Sequence, residues 1–136
     1  MNDDYRLIDG IPSAADYRRL RESAGLRPKS AAAAERGLPN TLFGVSAMHG
    51  TSVVGMGRII GDGGCFFEIV DIAVLPEHQR RGLGKKIMAR LMEWIRINAP
   101  ATALVSLLAD ANAGKLYEQF GFKESAPTSK GMVFRL

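Results

Sequence analysis

The chain has 136 residues, enough for one domain with a sizeable core, and 46% of them are apolar and 24% charged. Its formal charge of +4 is mild, no apolar run approaches the ~20 residues of a membrane span, and its single cysteine, Cys65, has no partner for an internal disulfide. These properties are typical of a globular cytoplasmic protein with no membrane or nucleic-acid partner, and they argue against a disulfide-rich secreted scaffold.

The first forty residues predict a strand followed by two helices. The strand covers residues 5–9, and the first helix begins after Ser13, a good N-cap, and stops before Gly25. A second, Ala-rich helix over residues 30–36 begins at Ser30. We expect the arginines of the first helix to form a solvated face: Arg18, Arg19 and Arg21.

The middle of the chain predicts a β meander and then a long helix. Glycine-rich turns separate three strand-like segments, residues 42–48, 52–60 and 65–75. A helical pattern follows from residue 82 to about residue 98. Its apolar positions recur at every fourth residue: Leu83, Ile87, Leu91 and Ile95.

The last third predicts a strand over residues 102–109, a helix over 111–120 and an antiparallel pair over 122–126 and 131–136. The order is therefore β-α-α-β-β-β-α-β-α-β-β. It predicts a single α+β domain over residues 1–136, with a mixed, mostly antiparallel central sheet and flanking helices.

The turn between the third meander strand and the long helix has the composition of an anion site. It reads Gln79-Arg80-Arg81-Gly82-Leu83-Gly84. A P-loop is excluded because Lys86 stands where Ser or Thr is required, and a dinucleotide fingerprint is excluded because Ile87 stands at the third glycine. A glycine-rich turn that opens a helix still offers backbone N–H groups to a phosphate.

This hexapeptide resembles the acetyl-CoA site of the GCN5-related N-acetyltransferase (GNAT) family. Asp71-Ile72-Ala73-Val74, leading to Pro76-Glu77, resembles the fourth strand of that family and its exit. Residues 116–122, LYEQFGF, resemble its LYEKxGF signature. Order and spacing agree along the chain, and they are similar to those of small bacterial members. The resemblance implies the acyl-CoA N-acyltransferase fold.

The resemblance also implies the cofactor and its contacts. Acetyl-CoA would be the co-substrate, with no metal. Its pyrophosphate would lie at the turn, and its pantetheine arm along the strand. The implied contacts are Ile72, Ala73, Val74, Gln79, Arg80, Arg81, Gly82, Leu83, Gly84 and Lys85. The usual pantetheine-contacting Asn is replaced by Asp110, and Asn112 is the alternative for that contact.

Three residues are implied in catalysis. Tyr117 matches the tyrosine that protonates the departing CoA sulfur, and either Glu68 or Asp71 is the general base. On a regular strand these two carboxylates would face opposite sides, so a bulge is needed to bring both to the cleft. A backbone N–H near Val74 would polarise the thioester carbonyl.

The function implied is transfer of the acetyl group to a primary amine of a small molecule, by direct attack in a ternary complex. The acidic side chains Glu68, Asp71 and Asp62 favour a cationic amine. Two alternatives stay open: acetylation of a protein or peptide at a lysine or N-terminus, and a non-catalytic acyl-CoA sensor. A homodimer is common in the family.

Overall fold

The computed structural model describes residues 4–110 and 113–136. These residues belong to two compact units, Met1–Ser106 and Leu107–Leu136. The first unit contains the sheet and the helices that border it, and the second contains a short helix and the C-terminal segment.

The first unit is built on antiparallel strands whose order in the sheet follows their order in the chain. The strands are β1 (Tyr5–Asp9), β2 (Phe43–His49), β3 (Ser52–Gly61) and β4 (Phe66–Val74). The fifth strand, β5 (Leu104–Leu107), lies beside β4, and the N–H of Leu104 donates to the carbonyl of Cys65 at 2.9 Å. A helix connects β4 to β5, as a crossover requires, so the predicted mixed sheet is confirmed.

The described residues of the first unit form three α-helices: α1 (Ala14–Ser23), α2 (Ala31–Gly37) and α3 (Leu83–Asn98). Both predicted serine caps are confirmed. The hydroxyl of Ser13 accepts the N–H of Asp16, and that of Ser30 accepts the N–H of Ala33, each at 3.1 Å.

The core lies between α3 and one face of the sheet. The four predicted apolar positions of α3 are buried, and Trp94 stacks on Phe43 with ring centroids 5.4 Å apart. Gly57 on β3 allows α3 to pack closely on the sheet, because a Cβ there would lie 2.8 Å from Cγ2 of Ile87. The opposite face receives Tyr17 and Leu20 of α1.

The solvated arginine face expected on α1 is wrong for Arg21. Its side chain is 11% exposed and is ion-paired with Asp71, fifty residues along the chain. An arginine among exposed arginines in the sequence does not reveal a partner on a distant strand. Arg19, in contrast, is exposed and pairs with Asp16 on its own helix.

The second unit differs from its prediction. Its helix, α4, spans Gly114–Glu118, and no strand forms over residues 122–126 or 131–136 in the described part of the chain. Residues 125–129 instead form a turn, in which the N–H of Ser129 donates to the carbonyl of Ser125 at 3.0 Å. Phe134 beyond this turn is 89% exposed. The alternating apolar and polar residues of the terminal segment therefore do not form a paired, half-buried strand.

None of the helices in the described ranges is both long and apolar enough to span a lipid bilayer.

Candidate active site

The turn after β4 is shaped by two left-handed residues. A short 3-10 helix, Pro76–His78, leaves the strand, and the side-chain amide of Gln79 donates to the carbonyl of Val74 at 2.9 Å. Arg80 then has φ 64° and Gly82 has φ 79°. These values turn the chain sharply into α3, and at Gly82 only glycine adopts them without strain.

The first turn of α3 presents backbone donors that no side chain of the described residues caps. Gly82 is its N-cap and offers no side chain to accept them, while its carbonyl accepts the N–H of Lys86 at 3.1 Å. The N–H groups of residues 83–85 therefore have no partner within the helix. No non-neighbouring atom of the described residues lies within 4 Å of the position of a Cβ on Gly82, so a ligand can approach the backbone. This arrangement suits a phosphate.

A bulge interrupts the β3–β4 ladder. Met56 pairs with Ala73 but Arg58 pairs with Val70, so Asp71 and Ile72 together face the single residue Gly57. Asp71 has φ 61°, which is unusual for an aspartate. By this register Glu68 and Asp71 share one face of the sheet, whereas a regular strand would put them on opposite faces.

Asp71 lies in a buried ion network. Its Oδ2 accepts from Nε of Arg58 at 2.8 Å and from the hydroxyl of Tyr17 at 2.9 Å, and its Oδ1 accepts from Nη1 of Arg21. The Asp71 side chain is 5% exposed. Arg58 also donates from Nη1 to the hydroxyl of Thr41 at 2.6 Å. Both carboxylate oxygens are thus occupied by cationic donors.

The network also affects Tyr17. Burial raises the pKa of its phenol, and the negative charge of Asp71, which accepts its hydrogen bond, raises that pKa further. Tyr17 therefore keeps its proton and stays a hydrogen-bond donor to Asp71. Neither Tyr17 nor Arg58 was identified from the sequence, although a charged residue inside the apolar strand SVVGMGRII is a sign of a buried ion pair.

Glu68 is placed differently from Asp71. It is partly exposed on the same face of the sheet, and within the described residues its carboxylate has no hydrogen bond or ion pair. A carboxylate without a fixed cationic partner is chemically able to accept a proton.

A cavity of about 160 Å³ opens between α1, α2 and β3. Buried Tyr17, Ala34 and Leu38 form its floor together with Arg58, and exposed Lys29 lies at its edge. The sequence did not reveal this cavity, because its lining residues come from separate elements of the chain.

Tyr117 belongs to α4 in the second unit and is partly buried. Burial raises the pKa of its phenol, and the negative charge of Asp110 in the same unit raises it further. The carbonyl of Asp110 accepts the N–H of Ala113 at 2.9 Å. Asn112, the expected alternative for the pantetheine contact, lies outside the described residues.

Two other expectations concern metals and Cys65. Across residues 4–110 and 113–136, no three His, Cys, Asp or Glu side chains group together as metal ligands. Cys65 is exposed and unpaired, immediately before β4. Asp62, expected to attract a cationic substrate, instead accepts the N–H groups of Gly64, Cys65 and Phe66 with one oxygen.

Comparison with known proteins agrees with this architecture. Residues 42–124 match the acetyltransferase (GNAT) domain family. A probable acetyltransferase of unknown function from meticillin-resistant Staphylococcus aureus has a solved structure with a TM-score of 0.93 and 45% identity, covering 97% of this chain and 99% of that one. A GNAT family acetyltransferase from Brucella melitensis, solved in complex with acetyl-CoA, shares the fold at a TM-score of 0.65 and 22% identity, covering 90% and 84%.

Among curated proteins, an uncharacterized N-acetyltransferase, ycf52, of the alga Porphyra purpurea is 32% identical over 84 residues. That match covers 62% of this chain and 47% of the algal protein, so the chain matches about half of the length of that relative. The family match extends over more than half of the chain and includes β4, the glycine turn and α3. The chain belongs to the GNAT acetyltransferase family.

Proposed function

We propose that this protein transfers the acetyl group of acetyl-CoA to a primary amine of a small molecule, by direct attack in a ternary complex. The observation that carries the proposal is the start of α3, where left-handed Arg80 and Gly82 present uncapped N–H groups directly after β4. Backbone donors at a helix start are suited to bind a pyrophosphate. The Brucella relative was solved with acetyl-CoA, which supports the same donor here.

The donor contacts follow from that turn. We assign the pyrophosphate to the backbone of Gly82, Leu83 and Gly84, with the charges of Arg80, Arg81 and Lys85 around it. Gln79 already donates to Val74, so its part is to hold the turn against the end of β4. The pantetheine arm would pair with the backbone of Ile72, Ala73 and Val74 as an added strand, and Asn112 stays a candidate for a further contact.

The chemistry needs one base and one acid. The neutral amine attacks the thioester carbonyl, the new C–N bond forms, the C–S bond breaks, and CoA leaves as a thiolate. Glu68 takes the proton that the amine loses, and Tyr117 gives a proton to the thiolate. A backbone N–H near Val74 polarises the carbonyl oxygen. Because its pKa is raised, Tyr117 keeps its proton at neutral pH.

Between the two candidate bases, the contacts favour Glu68. Asp71 is bound by Arg21, Arg58 and Tyr17 and its side chain is only 5% exposed, so neither of its carboxylate oxygens is open to an incoming amine. We assign Asp71 to holding α1 against the sheet at the bulge. A cytoplasmic location is also part of the proposal, supported by an exposed free Cys65 that suits a reducing compartment.

The test is a thiol-release assay with acetyl-CoA and a panel of small amines, with a lysine peptide and a peptide N-terminus as competing acceptors. Wild type should release CoA fastest with a small amine. Glu68→Gln should lower kcat about 100-fold or more, whereas Glu22→Gln on exposed α1 should not change it. Tight acetyl-CoA binding with no CoA release from any acceptor would instead identify a sensor, and faster release with peptides would identify a protein acetyltransferase.

A further inference from the structure

The cavity between α1, α2 and β3 has an unbalanced charge. Among the described residues that line it, none is acidic, while Lys29 and Arg58 are cationic. Within residues 4–110 and 113–136, Asp71 is the one carboxylate in contact with Arg58, and Asp71 also binds Arg21. Two guanidinium groups therefore share one carboxylate, which leaves about one positive charge on the buried network before Lys29 is counted.

A buried positive charge without an anionic partner destabilises the folded protein. Arg21 and Arg58 are each 11% exposed, so water stabilises them only in part. An anion in the cavity would complete the pairing through charge-assisted hydrogen bonds, which are among the strongest in proteins. The aromatic ring of Tyr17, which belongs to the cavity floor, lies beside Arg58, with Cζ of Arg58 5.5 Å from the ring centroid.

We infer that this cavity binds an anionic group, a carboxylate or a phosphate, carried by the acceptor amine. The inference rests on the proposed acetyl transfer and names its substrate class. It reverses the cationic acceptor expected from the sequence, because Asp71 is neutralised by two arginines and Asp62 is occupied by a turn. Glu68 is the one carboxylate of the three that remains to meet the amine.

The register of β3 and β4 gives the spacing between Arg58, which lines the cavity, and Glu68, the candidate base. Arg58 pairs with Val70 and Ile60 pairs with Glu68, so Arg58 and Glu68 are diagonal neighbours on one face of the sheet. Diagonal neighbours in an antiparallel pair lie about 7–8 Å apart at their backbones. An amine and an anion a few bonds apart, as in an amino acid or an aminoalkyl phosphate, suit that separation.

The experiment uses matched acceptors in the thiol-release assay. Glycine is compared with glycinamide, β-alanine with its amide, and 2-aminoethyl phosphate with ethanolamine, at a pH where each amine is partly neutral and with the neutral fraction taken into account. We expect the anionic member of a pair to have a kcat/KM about 10–100-fold higher, the equivalent of one charge-assisted hydrogen bond. The carboxylate and phosphate arms decide which anion is preferred.

Position 33 offers a sharp variant. Ala33 lines the cavity on exposed α2, and its N–H is already accepted by the cap Ser30. Glu and Gln at this position both complete a capping box, so neither should weaken the helix. Ala33→Glu should lower kcat/KM for the anionic acceptors about 10-fold or more by repulsion in the cavity, and Ala33→Gln should lower it far less.

A second pair of variants removes a positive charge instead of adding a negative one. Lys29→Gln should raise KM for the anionic acceptors several-fold, whereas Arg96→Gln, on the exposed surface of α3, should not. Both variants carry the same net charge, so a general electrostatic effect would move both equally. Calorimetric titration of wild type and Ala33→Glu with the same acceptors measures binding without turnover.

These measurements distinguish a failure of the anion site from a failure of the proposed acetyl transfer. Equal kcat/KM for charged and neutral acceptors, with no difference between Ala33→Glu and Ala33→Gln, would overturn the anion site while acetyl transfer stands. If no acceptor releases CoA, yet the anionic acceptors bind and Ala33→Glu abolishes that binding, the anion site stands and the proposed transfer fails. Absence of both turnover and selective binding would overturn both.

Discussion

Arg58 and Asp71 are joined by a 2.8 Å contact between Nε and Oδ2, at the point where the β3–β4 register shifts. The bulge gives Asp71 its left-handed backbone and turns its carboxylate to the face that carries Arg58. Tyr17 and Arg21 of α1 meet the same carboxylate. One side chain therefore fixes the helix, the bulge and the floor of the cavity together.

Removing the charge of Asp71 should cost mainly stability. Asp71→Asn leaves Arg21 and Arg58 buried without an anion, and breaking such a pair costs about 3–5 kcal/mol. Urea denaturation measures this loss. Asp16→Asn, which removes an exposed ion pair with Arg19, should change the free energy of unfolding by less than about 1 kcal/mol. An Asp71→Asn protein with wild-type stability and no activity would make Asp71 the catalytic base.

Two glycines separate backbone strain from ligand binding. Gly82 has φ 79° and Gly63, in the β3–β4 turn, has φ 82°. In the part of the chain that the structure describes, no non-neighbouring atom lies within 4 Å of a Cβ at either position. Alanine at each should cost about 1–2 kcal/mol of stability. Only Gly82→Ala should raise KM for acetyl-CoA, by about 10-fold, because only there would the methyl group meet a phosphate. Equal KM values for the two variants would remove the anion site from the start of α3.

Tyr117→Phe should lower kcat about 100-fold, with little change in KM for acetyl-CoA, because the departing thiolate loses its proton donor. The pKa of Tyr117 is raised above the ordinary value of 10.0 by burial and by Asp110. The protonated form needed for catalysis is therefore complete at neutral pH, and any loss of activity due to its ionisation should occur at a higher pH than for an ordinary tyrosine. A kcat unchanged by the substitution would assign Tyr117 to packing in α4.

The turn at Asp62 should contribute to acid stability. Backbone N–H groups of Phe66, Gly64 and Cys65 lower the pKa of the Asp62 carboxyl below its ordinary 3.8. The folded state therefore favours the ionised form, a contribution that is present above about pH 3.8 and is lost as the pH falls through the lowered pKa. Asp62→Asn keeps the acceptor oxygen but removes this charge, so wild type and variant should converge in stability below pH 3.8. A constant difference from pH 7 to pH 2 would contradict this assignment.

Local features of the fold were predictable from the sequence because they depend on near neighbours. Ser13 and Ser30 cap their helices through N–H groups three residues away, and the α3 pattern needs only its own apolar period. The strands of the meander were found within one or two residues for the same reason. The prediction of a C-terminal pair of strands was wrong. Alternation of apolar and polar residues shows that a segment is compatible with a strand, but it does not show that a sheet edge is available to pair with that segment.

Features that depend on distant partners were not predictable. The Asp71 network joins residues that are 50 and 54 positions apart in the chain. The bulge that orients Asp71 arises because two residues of β4 face the single residue Gly57 of β3. The sequence therefore identified Asp71 as a candidate without revealing that its oxygens are occupied. The cavity was missed because its walls come from α1, α2 and β3 and share no local pattern. The glycine turn was found because its residues are contiguous.

The central claim is tested most directly by measuring both products of the same reaction. Wild-type protein is incubated with acetyl-CoA carrying a ¹³C-labelled acetyl group and with β-alanine, and CoA is determined by thiol titration while N-acetyl-β-alanine is determined by mass spectrometry. We predict equal amounts of CoA and labelled acetamide, formed faster than with β-alaninamide. Saturable acetyl-CoA binding with no labelled acetamide from any amine, peptides included, would contradict acetyl transfer.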